Sequence, residues 1–249
     1  MREWIIGRNP VYEVLRVERR QCFHLLISQG AQEKGRLVEI IRLASTRNLK
    51  VEYVTRSQLD ALASGHQGVA LETSGYPYCD LVDILNQSSK CQEPALILIL
   101  DTLKDPQNFG TLLRTAEVVG VHGVILPYRH TATVTPAVVH ASSGASEHML
   151  ITQTNLAQAI SKIKEAGIWV VGLENRVEAE LPYQVRLDSP LALVVGSEGE
   201  GMRQLVSKSC DVLMRLPLRG QIDSLNASVA GSIALYLVWQ ARKYFGFIQ

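Results

Sequence analysis

Cysteine is scarce in this chain, and its spacing carries no pattern. Cys22, Cys79, Cys91 and Cys210 include no C-x-x-C pair, which argues against a structural zinc site and against a secreted disulfide framework, and suits a reducing cytosol. The six histidines are scattered without helical ligand spacing or adjacent carboxylate pairs, so no metal site is expected. There is no G-x-S-x-G elbow for a serine hydrolase and no Walker sequence for a nucleotide triphosphate. The first residues, MREWIIGRNP, lack the apolar core of a signal peptide, and no apolar run approaches the roughly 20 residues that span a bilayer. A soluble, cytoplasmic protein with no membrane partner is expected. Net charge is only +1, which by itself announces no nucleic acid. Residues 1–75 carry eleven Lys/Arg against eight Asp/Glu, a mild basic excess compatible with phosphate contact and equally with a solvated surface.

What is present is alternation. In the first seventy-five residues, strand-like runs at Phe23–Ser28, Val51–Val54 and Gly68–Glu72 are interleaved with helical patterns. One helix opens at Asn9-Pro10, read as a cap followed by proline. A second covers Glu33–Asn48, and a short third is capped by Ser57. A small α/β module over residues 1–75 follows. Residues 76–93, with Gly, Pro and a Gln-Ser-Ser-Lys run around a short helical piece, read as a linker. From 94 to 249 the alternation strengthens. The uniformly apolar Ala95–Leu100 is a strand buried on both faces, and further strands at Val121–Leu126, Met149–Ile151, Ile168–Gly172, Leu191–Val195 and Val212–Leu216 alternate with helices. That pattern predicts a parallel sheet covered by helices.

Three polar loops lie where ligands of such sheets bind. The first, Asp101–Arg114, places Asn108 near the start of a helix and Arg114 six residues further on. Each has a plain alternative, a helix cap for Asn108 and a surface arginine for Arg114. The second, Gly196-Ser197-Glu198-Gly199-Glu200-Gly201, has its glycines in the wrong order for a dinucleotide fingerprint, and its carboxylates would repel a pyrophosphate. It suits a cationic or hydroxyl-bearing ligand. The third, Leu218–Ser228, groups Ser224, Asn226 and Ser228 before a long apolar helix. One of these residues caps that helix, and a cap needs only one.

Taken together, the three loops resemble the three signature motifs of the SpoU (TrmH-type) RNA 2′-O-methyltransferases. The first is D-P-x-N-x-G-x-x-x-R at Asp105, Pro106, Asn108, Gly110 and Arg114; the second is Val194–Met202; the third is Leu216–Ala230. Gly7–Leu15 and His66–Gly68 look like the family's amino-terminal substrate-binding domain, so the resemblance spans the chain. The 23S ribosomal RNA guanosine-2′-O-methyltransferase subgroup is the nearest in pattern. The resemblance implies a catalytic domain with a carboxy-terminal trefoil knot, a homodimer, RNA as partner, and S-adenosylmethionine as cofactor. Arg114, Asn108, Glu198, Ser224 and Asn226 would be the catalytic set. Gly196, Ser197, Leu216, Leu218 and Leu225 would hold the cofactor, largely through backbone groups. A transfer RNA substrate remains open within the family, and a non-catalytic RNA-binding assembly factor remains open outside it.

Overall fold

A computed structural model of the chain describes residues 2–247 except 91, 92 and 198. It divides into two units, one of Met1–Pro77 with Thr133–His148 and one of Tyr78–Ala132 with Met149–Gln249.

The first unit holds a four-stranded sheet of β1 (Arg2–Ile6), β2 (Cys22–Ser28), β3 (Lys50–Val54) and β4 (Val69–Ser74), in the order β1-β4-β2-β3. Only β2 and β3 run parallel; β4 is antiparallel to both its neighbours. Helices α1 (Arg8–Val17), α2 (Arg36–Thr46) and α3 (Arg56–Asp60) complete the alternation. The expected caps shift by two residues. Gly7, at φ 89°, precedes α1 in place of Asn9, and Thr55 caps α3 in place of Ser57, with Gln58 closing the capping box. Strand β1 was not expected; its partner Val69–Ser74 supplies the ladder that so short an apolar run needs.

The segment 133–148 was expected to belong with 94–249, yet it packs in this first unit. Part of the reason is electrostatic. Arg20 lies fully buried and donates through Nε and Nη2 to the two carboxylate oxygens of Glu147, at 2.8 and 2.9 Å. It also meets Glu3. A buried guanidinium without its carboxylate would be costly, so the pair holds the segment in place.

The second unit is built on six parallel strands: β5 (Leu96–Leu100), β6 (Gly123–Leu126), β7 (Ile151–Gln153), β8 (Trp169–Leu173), β9 (Leu191–Val195) and β10 (Val212–Met214), ordered β10-β8-β9-β5-β6-β7. All neighbours are parallel. Strands β5 and β9 are buried at every residue, as two-sided coverage requires. Helix α4 (Leu81–Lys90) falls within the expected linker but is part of the core. Its Ile84 is fully buried, and a Cβ added at Gly123 on β6 would come 2.5 Å from Ile84 Cγ2. Helix α5 (Pro106–Val118) starts with Asp105 as cap and proline first. After the short α6 (Pro136–Ala141), α7 (Leu156–Glu165) buries Leu156, Ala159, Ile160 and Ile163 at helical spacing. Each large aliphatic side chain so buried contributes roughly 1.5–3 kcal/mol. The short α8 (Gln204–Ser209) precedes β10, and α9 (Ala227–Ala241) closes the unit. The chain builds outward from β5 to β6 and β7, then resumes on the far side of β9. The switch point therefore lies between β5 and β9, and the loops after these strands face the usual ligand crevice.

Candidate active site

The loop after β5 is organised by two carboxylates. Asp101 is fully buried; its oxygens accept from the backbone N–H of Arg203 at 2.8 Å and from Arg203 Nε at 2.7 Å. This ties the end of β5 to the far side of the glycine-rich loop that follows β9. Asp105 then caps α5 by accepting from the N–H groups of Gln107 and Asn108, at 3.1 and 3.2 Å. Asn108 is therefore not the cap that the plain reading offered. Its side chain lies inside the first turn and is available elsewhere.

It is used across the site. Asn226 caps α9, accepting from Ser228 and Val229 N–H at 3.0 and 3.2 Å. Its remaining amide group donates from Nδ2 to Asn108 Oδ1 at 3.0 Å. The hydroxyl of Ser228 lies 2.6 Å from Asn226 Oδ1 and 3.1 Å from Asn108 Oδ1. The amide orientations follow from this network. The first turns of α5 and α9 are thus locked together, and lower down Thr115 and Ser232 hydroxyls meet at 2.9 Å. Arg114 is carried by α5 and is exposed.

The glycine-rich loop closes on itself. Ser197 and Gly201 exchange both backbone hydrogen bonds at 3.1 Å, with Gly199 and Gly201 in the left-handed region at φ 80° and 67°. Gly196 lies so close beneath the returning chain that a Cβ would come 2.4 Å from the Gly201 carbonyl carbon and 2.5 Å from Met202 N. Glu198 lies outside the described residues.

Between this loop, the end of β8 and the stretch after β10 is a cavity of about 650 Å³, a size suited to a small organic cofactor. Its walls include Gly196, Ser197, Leu216, Leu218, Ser224 and Leu225, the five residues expected to hold a cofactor together with one from the expected catalytic set. Asn108, Arg114 and Asn226 are not on these walls; Asn108 and Asn226 meet at the neighbouring helix starts, and Ala227 and Ala230 of α9 reach the cavity. Sequence reasoning missed the end of β8. Glu174 and Asn175 line the cavity, and Asn175 Nδ2 donates to the Asp223 carbonyl at 2.6 Å, fastening the third loop. It also missed Arg203 and the structural use of Asp101, whose only signal was a carboxylate directly after a buried strand. Glu174, Glu200, Asp223, Arg176 and Arg215 all line the cavity, with Arg176 paired to Glu174 at 2.8 Å, so residues of both signs surround a ligand there.

The family model described as SpoU rRNA Methylase matches residues 95–236. The chain belongs to this family. A second model, described as RNA 2′-O ribose methyltransferase substrate binding, matches residues 4–79, so the SpoU methylase domain is preceded by a substrate-binding domain. Among curated relatives, the "Putative TrmH family tRNA/rRNA methyltransferase YacO" of Bacillus subtilis is 39% identical over 98% of both chains. A protein of Staphylococcus aureus with the same family description is 41% identical over 97% of both. Among solved structures, the SpoU methyltransferase AviRb from Streptomyces viridochromogenes, in complex with the cofactor AdoMet, superposes with a TM-score of 0.81. That match covers 98% of this chain and 91% of AviRb at 21% identity. An AdoMet-bound rRNA methyltransferase from Sinorhizobium meliloti gives 0.80, covering 96% and 87% at 24% identity. At such identities the likeness bears on the fold, an α/β parallel sheet of the SpoU methyltransferase type. Among the described residues no helix is long and apolar enough to cross a membrane, and no group of His, Cys, Asp and Glu could hold a metal ion.

Proposed function

We propose that this SpoU-family methyltransferase moves a methyl group from S-adenosylmethionine to the ribose 2′-hydroxyl of one RNA nucleotide, a guanosine of 23S ribosomal RNA. The observation that carries the reading is the adjacency of two features along α9. The cavity touches its first turns through Ala227 and Ala230, and the polar Asn108–Asn226–Ser228 cluster sits at its start.

The cavity suits the cofactor chemically. Small and apolar residues, Gly196, Leu216 and Leu225, leave backbone groups to contact an adenosine, while the bordering carboxylates and guanidiniums match an amino acid's ammonium and carboxylate. When bound, the cofactor supplies an already activated methyl on a sulfonium, which departs as a neutral thioether. The chain's task is then alignment, exclusion of water and help for a poorly acidic hydroxyl. A guanidinium with a pKa above about 12 stays protonated at neutral pH. Arg114 therefore acts by charge in this reading. It grips the phosphate beside the target ribose and lowers the hydroxyl's pKa, and the proton leaves to water. Asn108, held by Asn226 and Ser228, fixes the ribose relative to Arg114, a task it shares in this reading with Glu198, and Ser224 shapes the wall of the cavity.

The reading includes a cytoplasmic homodimer and the carboxy-terminal trefoil knot implied by the family resemblance. Helix α9 supports the dimer: it is apolar all round, with Ala227, Gly231, Ala234, Leu235 and Val238 buried and Val229, Ile233 and Tyr236 exposed. A helix of that composition is covered on both sides, and a second copy would cover the other. Transfer RNA is the competing substrate, since both relatives above are described as tRNA/rRNA methyltransferases. Mapping 2′-O-methylation in ribosomal and transfer RNA of a strain lacking the gene tests the proposal. A lost guanosine mark in the large-subunit RNA supports it, a lost transfer-RNA mark moves the substrate, and an unchanged map overturns it.

A further inference from the structure

A second cavity, of about 520 Å³, opens at the carboxyl ends of β6 and β7, on the same sheet edge as the first. Its walls include Tyr128, Arg129, His130, Asn155, Arg203 and Leu205, and no aspartate or glutamate lines it. The first cavity is lined by three acidic residues as well as two arginines. The two therefore differ in the charge of the ligand each can take, and the second suits an anion.

Three features make it more than a basic dent. Tyr128 is 68% exposed with its ring free to be stacked upon, and Leu205 opposite is 67% exposed. Arg129 makes no hydrogen bond or ion pair among the described residues, so its five donors are available to a ligand. The walls are also anchored. Ala132 N–H and Thr131 Oγ1 both donate to the Leu103 carbonyl, at 2.7 and 3.0 Å. Arg203 on the other side is held by Asp101. Both anchors lie in the short stretch that leads to Asp105 and Asn108, so this cavity is in fixed register with the catalytic cluster.

We propose that the Tyr128–His130 loop and Arg203 form a subsite for a single-stranded nucleotide flanking the methylated one. Tyr128 stacks the base and Arg129 pairs with its phosphate. An exposed aromatic beside uncommitted guanidinium is the combination that binds single-stranded RNA without reading its sequence. This rests on the RNA methyltransferase reading and adds to it where the strand runs once it leaves the active site.

The test compares the full-length parent with Tyr128→Ala, Tyr128→Trp and Arg129→Ala, using the anisotropy of fluorescein-labelled oligouridylate over a range of salt. Since a stacked base is worth about 1–3 kcal/mol, Tyr128→Ala should weaken binding about tenfold while Tyr128→Trp retains it. Arg129→Ala should lower the slope of log affinity against log salt by about 0.7, one phosphate's share for a single strand. With methylatable RNA the same losses should appear in KM, with kcat and S-adenosylmethionine affinity kept. Because these side chains are exposed, matching thermal melts will exclude misfolding. Parent-like affinity and salt slope in Tyr128→Ala and Arg129→Ala, or no binding by the parent, would overturn the subsite. A parent that binds the oligonucleotide but methylates no RNA would instead sink the proposed function and leave the subsite standing.

Discussion

Asn226 Nδ2 donates to Asn108 Oδ1 across 3.0 Å, although the two residues lie 118 positions apart. Each belongs to a helix start, and Asn226 is at once a cap and a clamp. The two roles can be separated. Asn226→Ala removes both and should destabilise the protein by about 0.5–2 kcal/mol through the lost cap. Asn226→Asp keeps an acceptor for the Ser228 and Val229 N–H groups but replaces the donor, which obliges the Asn108 amide to turn over. The thermal midpoint of Asn226→Asp should stay near the parent's while kcat for methylation falls at least about tenfold. Parent-like turnover in that variant would mean that the pair positions nothing.

Much of this arrangement is legible in the sequence because it is local. The run Leu96–Leu100 announces a buried strand, and a polar residue before a long apolar helix announces the cap that Asn226 supplies. What escapes is pairing across distance. Arg20 and Glu147 are 127 residues apart, and their union, with the Tyr76 hydroxyl donating to the Ser146 carbonyl, helps to hold 133–148 outside the unit that its strand–helix pattern suggests. Asp101 and Arg203 are 102 apart; a carboxylate directly after a buried strand marks the first, and nothing local marks the second as its partner. The displaced cap has the opposite cause. Asp105 and Asn108 are both acceptable caps by type, and proline at 106 fixes the helix start one residue after Asp105, which frees Asn108 for the cluster.

Gly196 offers a steric test of the cofactor cavity. Its backbone is not in the left-handed region, so the constraint is space alone, and the atoms in the way are backbone atoms of Gly201 and Met202. Gly196→Ala must open the closed loop between Ser197 and Gly201. A loss of about 1–3 kcal/mol in stability is expected from such overpacking, together with S-adenosylmethionine affinity reduced at least about tenfold by calorimetry. Unchanged affinity would remove this loop from the binding wall.

For Arg114, the electrostatic role makes a graded prediction. Arg114→Ala removes the charge and should lower kcat by about a hundred- to a thousandfold, the usual cost of a lost charge-stabilising donor. Arg114→Lys keeps the charge but not the planar fork, and should fall between parent and alanine variant in single-turnover methylation. If lysine is as inactive as alanine, charge alone does not account for the residue.

His122 gives a prediction for stability against pH. The ring is buried at the foot of β6, and its Nδ1 accepts from the Leu96 N–H at 3.0 Å. Nε2 lies 3.4 Å from Glu93 Oε1 without making a hydrogen bond. Burial pushes its pKa below the ordinary 6.5, against the opposing pull of Glu93. As pH falls, the unfolded chain therefore takes up this proton before the folded one does. The stabilising contribution is complete above about pH 6.5, shrinks as pH drops towards the depressed folded value, and is constant below it. His122→Asn, whose Oδ1 can still accept from Leu96, does not titrate. Thermal midpoints measured from about pH 7.5 to about pH 5 should consequently fall less steeply in His122→Asn than in the parent. Parallel curves would show that the folded protein accepts the proton as readily as the unfolded chain.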